Sequence, residues 1–147
     1  MAGADAKETA LAGYRLEDQV GFYLRRAGQR HAAIFADRMT DELTPTQWAA
    51  LVKLAEFESL SQNLLGRETA MDAATIKGVV DRLLKRGFVA TAHDPEDARR
   101  MRVSITGDGC AAVARGVSAA TAITAATLEP LSASDRRQLV ELLRRIG

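Results

Sequence analysis

The sequence predicts a mainly α-helical domain carrying one small β-hairpin. Long stretches repeat apolar residues at helical spacing, several of them open on a Ser, Thr or Asp in a capping position, and two short strand-like runs flank a charged loop. At 147 residues the chain is about the size of one domain and can bury a core of its own. Hydrophobic residues make up 47% and charged residues 27%, which is the globular range, and the longest apolar runs look shorter than a membrane span requires. The opening residues, MAGADAKETALAGYRLEDQ, resemble neither a signal peptide nor a transit peptide, so a cytoplasmic protein with its first dozen residues frayed is expected.

The first strong element covers residues 16–39, with Leu16, Val20, Tyr23, Ala27, Ile34 and Phe35 as its apolar stripe. As one helix it would be roughly 36 Å long, more than a small core needs, so a partner chain is expected to share its apolar face. Arg25 suits a solvated face, whereas Arg30 and His31 border the stripe and suit either a pocket or a structural contact.

After a break at residues 41–43, Thr44, Pro45 and Gln47 start the next helix with an N-cap, a first-turn proline and a capping box. Trp48, Leu51, Val52, Leu54 and Ala55 form its buried face up to Phe57. Trp48 suits the core or the wall of an aromatic-ligand pocket, and the sequence does not separate the two.

Ser61 caps a short helix through Leu64 and Leu65 to Arg67, which Gly66 would loosen or end. Asp72 caps the following one, in which Ile76, Val79, Val80, Leu83 and Leu84 line a single face until Gly87 stops it. Thr75, Lys77, Gly78, Asp81 and Arg82 lie on the opposite face. Two helices joined by a short turn, the second small and polar outside, can enter a DNA major groove. By periodicity alone an ordinary surface helix fits as well.

The strand-like residues 88–92 and 102–105 and the loop HDPEDARRM between them decide for DNA. An ordinary hairpin has no reason to carry Arg99 and Arg100 at its tip, but arginine on a protruding loop can enter a narrow minor groove. Asp97 can brace Arg99 through a charge-assisted hydrogen bond. The net charge is only +1, so this basic character is local: Lys77, Arg82, Lys85, Arg86, Arg99, Arg100 and Arg102 fall in one segment, while Asp5, Glu8, Glu17, Asp37, Asp41, Glu42, Glu56 and Glu58 lie before it.

Beyond Thr106, an expected N-cap, lies an Ala- and Thr-rich helix without a charge between Arg115 and Glu129, with Val113, Val117, Ala120 and Ile123 as expected contacts. Pro130 ends it, Ser132 and Asp135 cap the last helix, and Leu139, Leu142, Leu143 and Ile146 make a final apolar stripe. The single cysteine, Cys110, can form no internal disulfide; it is expected to be a small buried residue near a helix start, with a redox-active thiolate as the alternative.

The quoted motifs LTPTQWAAL, MDAATIKGVVDRLLKRGFV, DPEDARRMRVSIT and TGDG resemble the multiple-antibiotic-resistance regulator (MarR) family, over most of the chain from Leu16 through LSASDRRQLVELLRRI. The D-x-R pattern at Asp97 and Arg99 is the most specific part. The resemblance implies a mainly α fold: a winged helix-turn-helix over residues 44–106, flanked by dimerisation helices at 16–40 and 107–147, in one domain. It implies a homodimer whose two recognition helices read a pseudo-palindromic operator with half-sites about 34 Å apart. By position, Thr75, Lys77 and Gly78 would lie in the major groove, with Arg82 on the same face, and Arg99 in the minor groove supported by Asp97. Arg100 departs from the family's small or polar residue there, adding a phosphate contact. Cys110 does not match the first-helix cysteine of the peroxide-sensing members, which argues against oxidation sensing.

The expected function is a homodimeric, DNA-binding repressor released by a small aromatic or anionic ligand, such as an aromatic acid or its CoA thioester. Tyr23, Arg26, Arg30, His31 and Trp48 are the pocket candidates, between the long first helix and the Trp48 helix. The alternative is a DNA-binding dimer without an effector. An enzyme is not expected: there is no phosphate loop, dinucleotide fingerprint or H-E-x-x-H, and His31 and His93 are the only histidines. No catalytic residue, metal or cofactor is assigned.

Overall fold

The computed structural model describes residue 6 and residues 9–147. The expected fraying of the first dozen residues falls largely outside them. The main elements are α1 (Val20–Arg38), α2 (Pro45–Phe57), β1 (Ser59–Ser61), α3 (Gln62–Glu68), α4 (Ala73–Lys85), β2 (Val89–His93), β3 (Met101–Ile105), α5 (Gly107–Leu128) and α6 (Ala133–Ile146). Short 3-10 turns at Leu16–Asp18 and Thr40–Glu42 precede and follow α1.

The first helix is shorter than expected, because Gln19 is extended at φ −97° and separates the turn at Leu16–Asp18 from α1. Its side-chain amide donates to the Arg15 carbonyl at 3.0 Å, a local bond that competes with helix continuation. Of the predicted stripe only Phe35 is buried; Val20 is 68% and Tyr23 49% exposed, so the N-terminal half of α1 lies off this chain's core.

The caps formed as predicted, since each depends on residues only three apart. The Gln47 N–H donates to Thr44 Oγ1 at 3.3 Å, and the Gln47 side chain accepts from the Thr44 N–H at 3.2 Å. Ser61, Asp72, Thr106 and Ser132 likewise accept from Leu64, Thr75, Gly109 and Asp135. Each such cap satisfies an N–H that the helix leaves unpaired.

One core joins α2, α3, α4 and the sheet: Leu43, Ala50, Leu51, Leu54, Leu60, Leu65, Ile76, Val79, Val80, Leu83, Val89 and Val103. On α2 the buried positions are Gln47, Ala50, Leu51 and Leu54, whereas Ala55 and Phe57 face outward. On α4 Leu84 is exposed, one step beyond the buried arc closed by Leu83.

The sheet has a third strand, absent from the sequence reading. β1 pairs antiparallel with β3, Leu60 opposite Val103, giving the order β1-β3-β2. Three residues are too few to display an alternation, and their pairing partner lies over 40 positions away in sequence. Gly66 neither loosens nor ends α3. It is buried within the helix, where a Cβ would lie 3.1 Å from the Met71 carbonyl and 3.2 Å from Ile76 Cγ2, so it lets α3 and α4 approach.

α5 is 22 residues long with a mean hydropathy of 1.3, so by length and composition it could cross a membrane, contrary to the reading of the apolar runs. Its apolarity comes from alanine, and it packs on α1 and α2 with Gly109, Ala112, Gly116 and Ile123 buried. Val117, an expected contact, is 53% exposed, and Cys110 is exposed rather than buried, because both point away from that packed side. α6 buries nothing: Leu139, Leu142, Leu143 and Ile146 are all exposed, so the predicted stripe is uncovered within one chain.

Candidate nucleic-acid interface

The outer face of α4 is built by the same spacing that buries Ile76, Val79, Val80 and Leu83. Thr75, Lys77 and Arg82 are exposed and Gly78 is half-buried. Lys77 Nζ pairs with Asp81 at 2.8 Å, one helical turn on, with both side chains largely in solvent. Such a pair is weak and screened, so Lys77 can exchange it for a phosphate. A Cβ on Gly78 would meet only Arg82 Nη1, at an ordinary 3.6 Å, so packing inside the chain does not demand a glycine here. The helix closes on Arg86, whose guanidinium lies 4.7 Å from the Phe88 ring centroid, and on Gly87 at φ +75°. That left-handed residue turns the chain into β2.

The hairpin tip is organised by two aspartates. The Asp94 carboxylate accepts from the Glu96 N–H at 2.9 Å, and its own N–H donates to the Arg100 carbonyl at 2.9 Å. Asp97 Oδ1 accepts from the Arg99 N–H at 3.0 Å and from Arg99 Nε at 3.2 Å, while Arg100 Nε lies 3.6 Å from Oδ2. The Arg99 N–H and then its side chain hold the Asp97 carboxyl below the usual aspartate value, so it stays charged at neutral pH. Arg99 itself is 92% exposed: one edge is braced and the rest of the fork is in water. Over residues 94–100 the carboxylates of Asp94, Glu96 and Asp97 stand against Arg99 and Arg100, so the tip as a whole is not positive and its positive charge is confined to the two exposed arginines.

Gln62 and Asn63 escaped the sequence reading, and Arg102 entered it only as part of the basic segment. Arg102 donates from Nε to Ser59 Oγ at 2.8 Å and lies 3.8 Å from Asp94, tying the hairpin to β1. Gln62 and Asn63, at the start of α3, share with Ser61 a small notch of about 150 Å³ whose other wall is Arg99, Arg100 and Met101. The tip therefore faces the first helix of the pair. The Ser-Gln-Asn run at a helix start was the only local sign of this.

The five pocket candidates do not converge. Tyr23 meets Phe22 edge-on at 5.3 Å, and Arg26 lies over the Phe22 ring at 5.6 Å. Arg30 donates to the carbonyls of Thr127 and Ala126, and His31 Nδ1 is 2.9 Å from Thr127 Oγ1, so both tie α1 to the end of α5. Trp48 packs on α5, where a Cβ at Gly116 would come within 2.4 Å of its ring. Among the described residues, two cavities border α1. An open groove of about 820 Å³ is lined by Arg30, Ile34, Arg38, Glu129 and Arg136 and the alanines between them. A more enclosed one of about 300 Å³ lies between α1 and the start of α2, walled by Phe35, Met39, Leu43 and Pro45 with Glu42 at its edge. The described residues include no cluster of three His, Cys, Asp or Glu side chains suited to a metal ion.

The sequence profile of the MarR family matches residues 43–101, the segment that holds both the α4 face and the hairpin tip. The HTH-type transcriptional repressor NicR of Pseudomonas putida is 37% identical over 134 residues, 90% of this chain and 85% of that protein. The crystal structure of a probable transcriptional regulator from Pseudomonas aeruginosa superposes with a TM-score of 0.87 at 53% identity, covering 90% of this chain and all of that one (100%). BpsR of Bordetella bronchiseptica, whose DNA binding is regulated by 6-hydroxynicotinic acid, superposes with a TM-score of 0.86 at 40% identity, covering 90% of this chain and 96% of its own.

Proposed function

Since this chain belongs to the MarR family of transcriptional regulators, we propose that it acts as a homodimeric repressor whose hold on a pseudo-palindromic operator is released by a small aromatic acid. The observation that carries the DNA-binding half is the hairpin tip: an almost fully exposed Arg99, aimed by Asp97, beside the exposed face of α4. In this reading Thr75, Lys77, Gly78 and Arg82 meet the major groove. Arg99 enters the minor groove and Arg100 adds a backbone contact.

Residues 44–106 form the DNA-binding region, and residues 16–40 and 107–147 the dimerisation helices. Support comes from the uncovered apolar residues at both ends: Leu16, Val20 and Tyr23 near the start, and Leu139, Leu142, Leu143 and Ile146 in α6. An apolar surface of this kind exceeds what a monomer leaves in water, and a twofold axis lets each copy cover the other's.

The effector class follows from relatives and from cavity size. BpsR, whose DNA binding is regulated by 6-hydroxynicotinic acid, points to a ring bearing a carboxylate. The enclosed cavity of about 300 Å³ suits a single-ring acid, at the small end of ligand sites; a CoA thioester would need the open groove instead. Of the candidates Tyr23, Arg26, Arg30, His31 and Trp48, none lines the enclosed cavity and Arg30 borders the open groove; Arg30 and His31 would meet a ligand by exchanging their bonds to Thr127. Binding must favour one separation of the recognition helices over another, since equal affinity for both shapes shifts nothing.

The test is fluorescence anisotropy on a duplex selected by this protein from a random pool, titrated with 6-hydroxynicotinic acid and other single-ring acids. Release by at least one acid is expected. Binding without release by any of them supports the alternative, a dimer without an effector, which the scatter of the five pocket candidates favours.

A further inference from the structure

The 3-10 turn between α1 and α2 is the junction of three elements that the DNA-binding reading treats separately. Arg115, in the middle of α5, donates from Nε and Nη2 to the two carboxylate oxygens of Asp41, both at 3.0 Å. Arg86, the residue that closes the recognition helix, donates through Nη2 to the Asp41 backbone carbonyl. Asp41 and Glu42 are both left-handed, at φ 55° and 50°, a conformation that non-glycine residues hold only where surroundings enforce it. A bidentate arginine on the side chain and a second arginine on the carbonyl supply that enforcement from both directions. The Asp41 side chain is 22% exposed, so the pair is partly shielded from water. Arg115 depresses the Asp41 carboxyl below its usual value, and the bridge therefore stays intact across the neutral range.

We propose that Asp41 is a positioning residue for operator binding: with Arg115 and Arg86 it clamps the C-terminal end of α4 to α5, and so sets the separation of the two recognition helices. The clamp touches no DNA. α5 belongs to the proposed dimerisation helices, and α4 is the recognition helix, so the Asp41 turn joins the body that sets the twofold axis to the body that reads the groove. Arg86 reaches Asp41 across 45 residues of sequence, and Arg115 across 74. The rest of α4 is held by the packing of Ile76, Val79, Val80 and Leu83, and the clamp adds a tie at its C-terminal end. Without it the turn can leave its left-handed conformation, and the dimer samples a range of helix separations.

This inference rests on the dimeric DNA-binding reading, and spacing variants test it separately. The wild type first selects a duplex from a random pool; that duplex is then remade with one base pair inserted or removed between the half-sites. The wild type is expected to lose roughly tenfold on either change, the size of a typical coupling between sites. Asp41→Asn, which keeps a residue tolerant of positive φ, is expected to flatten that preference mainly by losing affinity for the selected spacing, with binding to random DNA unchanged. Arg115→Gln removes the bridge from the other side and should act alike, and the double variant should be no worse than either single one. A preserved spacing preference in both single variants, or losses that add in the double variant, overturns the clamp. Failure of the wild type to select any two-half-site duplex would sink the dimeric reading itself. A thermal melt of each variant confirms folding, and if Asp41→Asn does not fold, Arg115→Gln carries the test.

Discussion

Replacing Arg99 by alanine probes the hairpin tip most directly. Its side chain is 92% exposed and its one close partner is Asp97, at 3.2 Å in open solvent, so the free protein should melt as the wild type does. On DNA a charge-assisted contact is lost, worth about 1.5 to 3 kcal/mol per wing, or roughly 10- to 150-fold. A homodimer loses two such contacts far apart, so the deficits add toward twice that range. Arg100 limits the loss: it shares Asp97 at 3.6 Å and, relieved of its neighbour, can swing toward the same groove. The assay is anisotropy on the selected duplex and on a random one at a single salt concentration, because salt alone moves such affinities by orders of magnitude. Unchanged affinity for the selected duplex in Arg99→Ala, with a loss in Arg100→Ala, would refute the assignment and move the minor-groove role one residue along.

Lys77→Ala should weaken selected and random duplexes alike and lower the salt slope by about 1 per site, as a phosphate contact does; a loss confined to the selected duplex would make Lys77 a base reader. Gly116→Ala forces a methyl to within 2.4 Å of the Trp48 ring and should cost about 1 to 3 kcal/mol in a thermal or urea melt; an unchanged midpoint would contradict the packing of α2 on α5. The Thr75 N–H depresses the Asp72 carboxyl below its ordinary 3.8, so the cap's contribution is full above that value and fades as pH falls through the lower, folded one. Asp72→Ala should therefore melt below the wild type at neutral pH, with the gap closing in acid. A gap that persists or widens there would deny the charged cap.

Features that a few neighbouring residues decide were legible in the chain. The Thr44–Gln47 box, the Asp72 cap, the Gly87 stop and the Asp97–Arg99 brace each involve partners two or three positions apart, so the residue types alone specified them. The hairpin tip was readable for the same reason: Asp94, Asp97 and Arg99 bond within the turn itself. Helix faces were readable to within one position, as Leu84 and Val117 show, because a helical arc narrows or widens with what packs against it.

What required the folded chain were the meetings of distant residues. Ser59–Ser61 is a strand only because β3 lies beside it, and Gly66 and Gly116 are glycines because Ile76 and Trp48 occupy the space a methyl would take. Arg30 and His31 are absorbed by Thr127, some 96 positions on, which no spacing rule foresees. Asp41 belongs to the same class: in sequence it merely interrupts two helices, yet in the fold it receives Arg86 and Arg115 together. Local chemistry thus determined the elements and the charged hairpin tip. Only tertiary structure decided how those elements are held at one angle, because that depends on which surfaces find each other once the chain has closed.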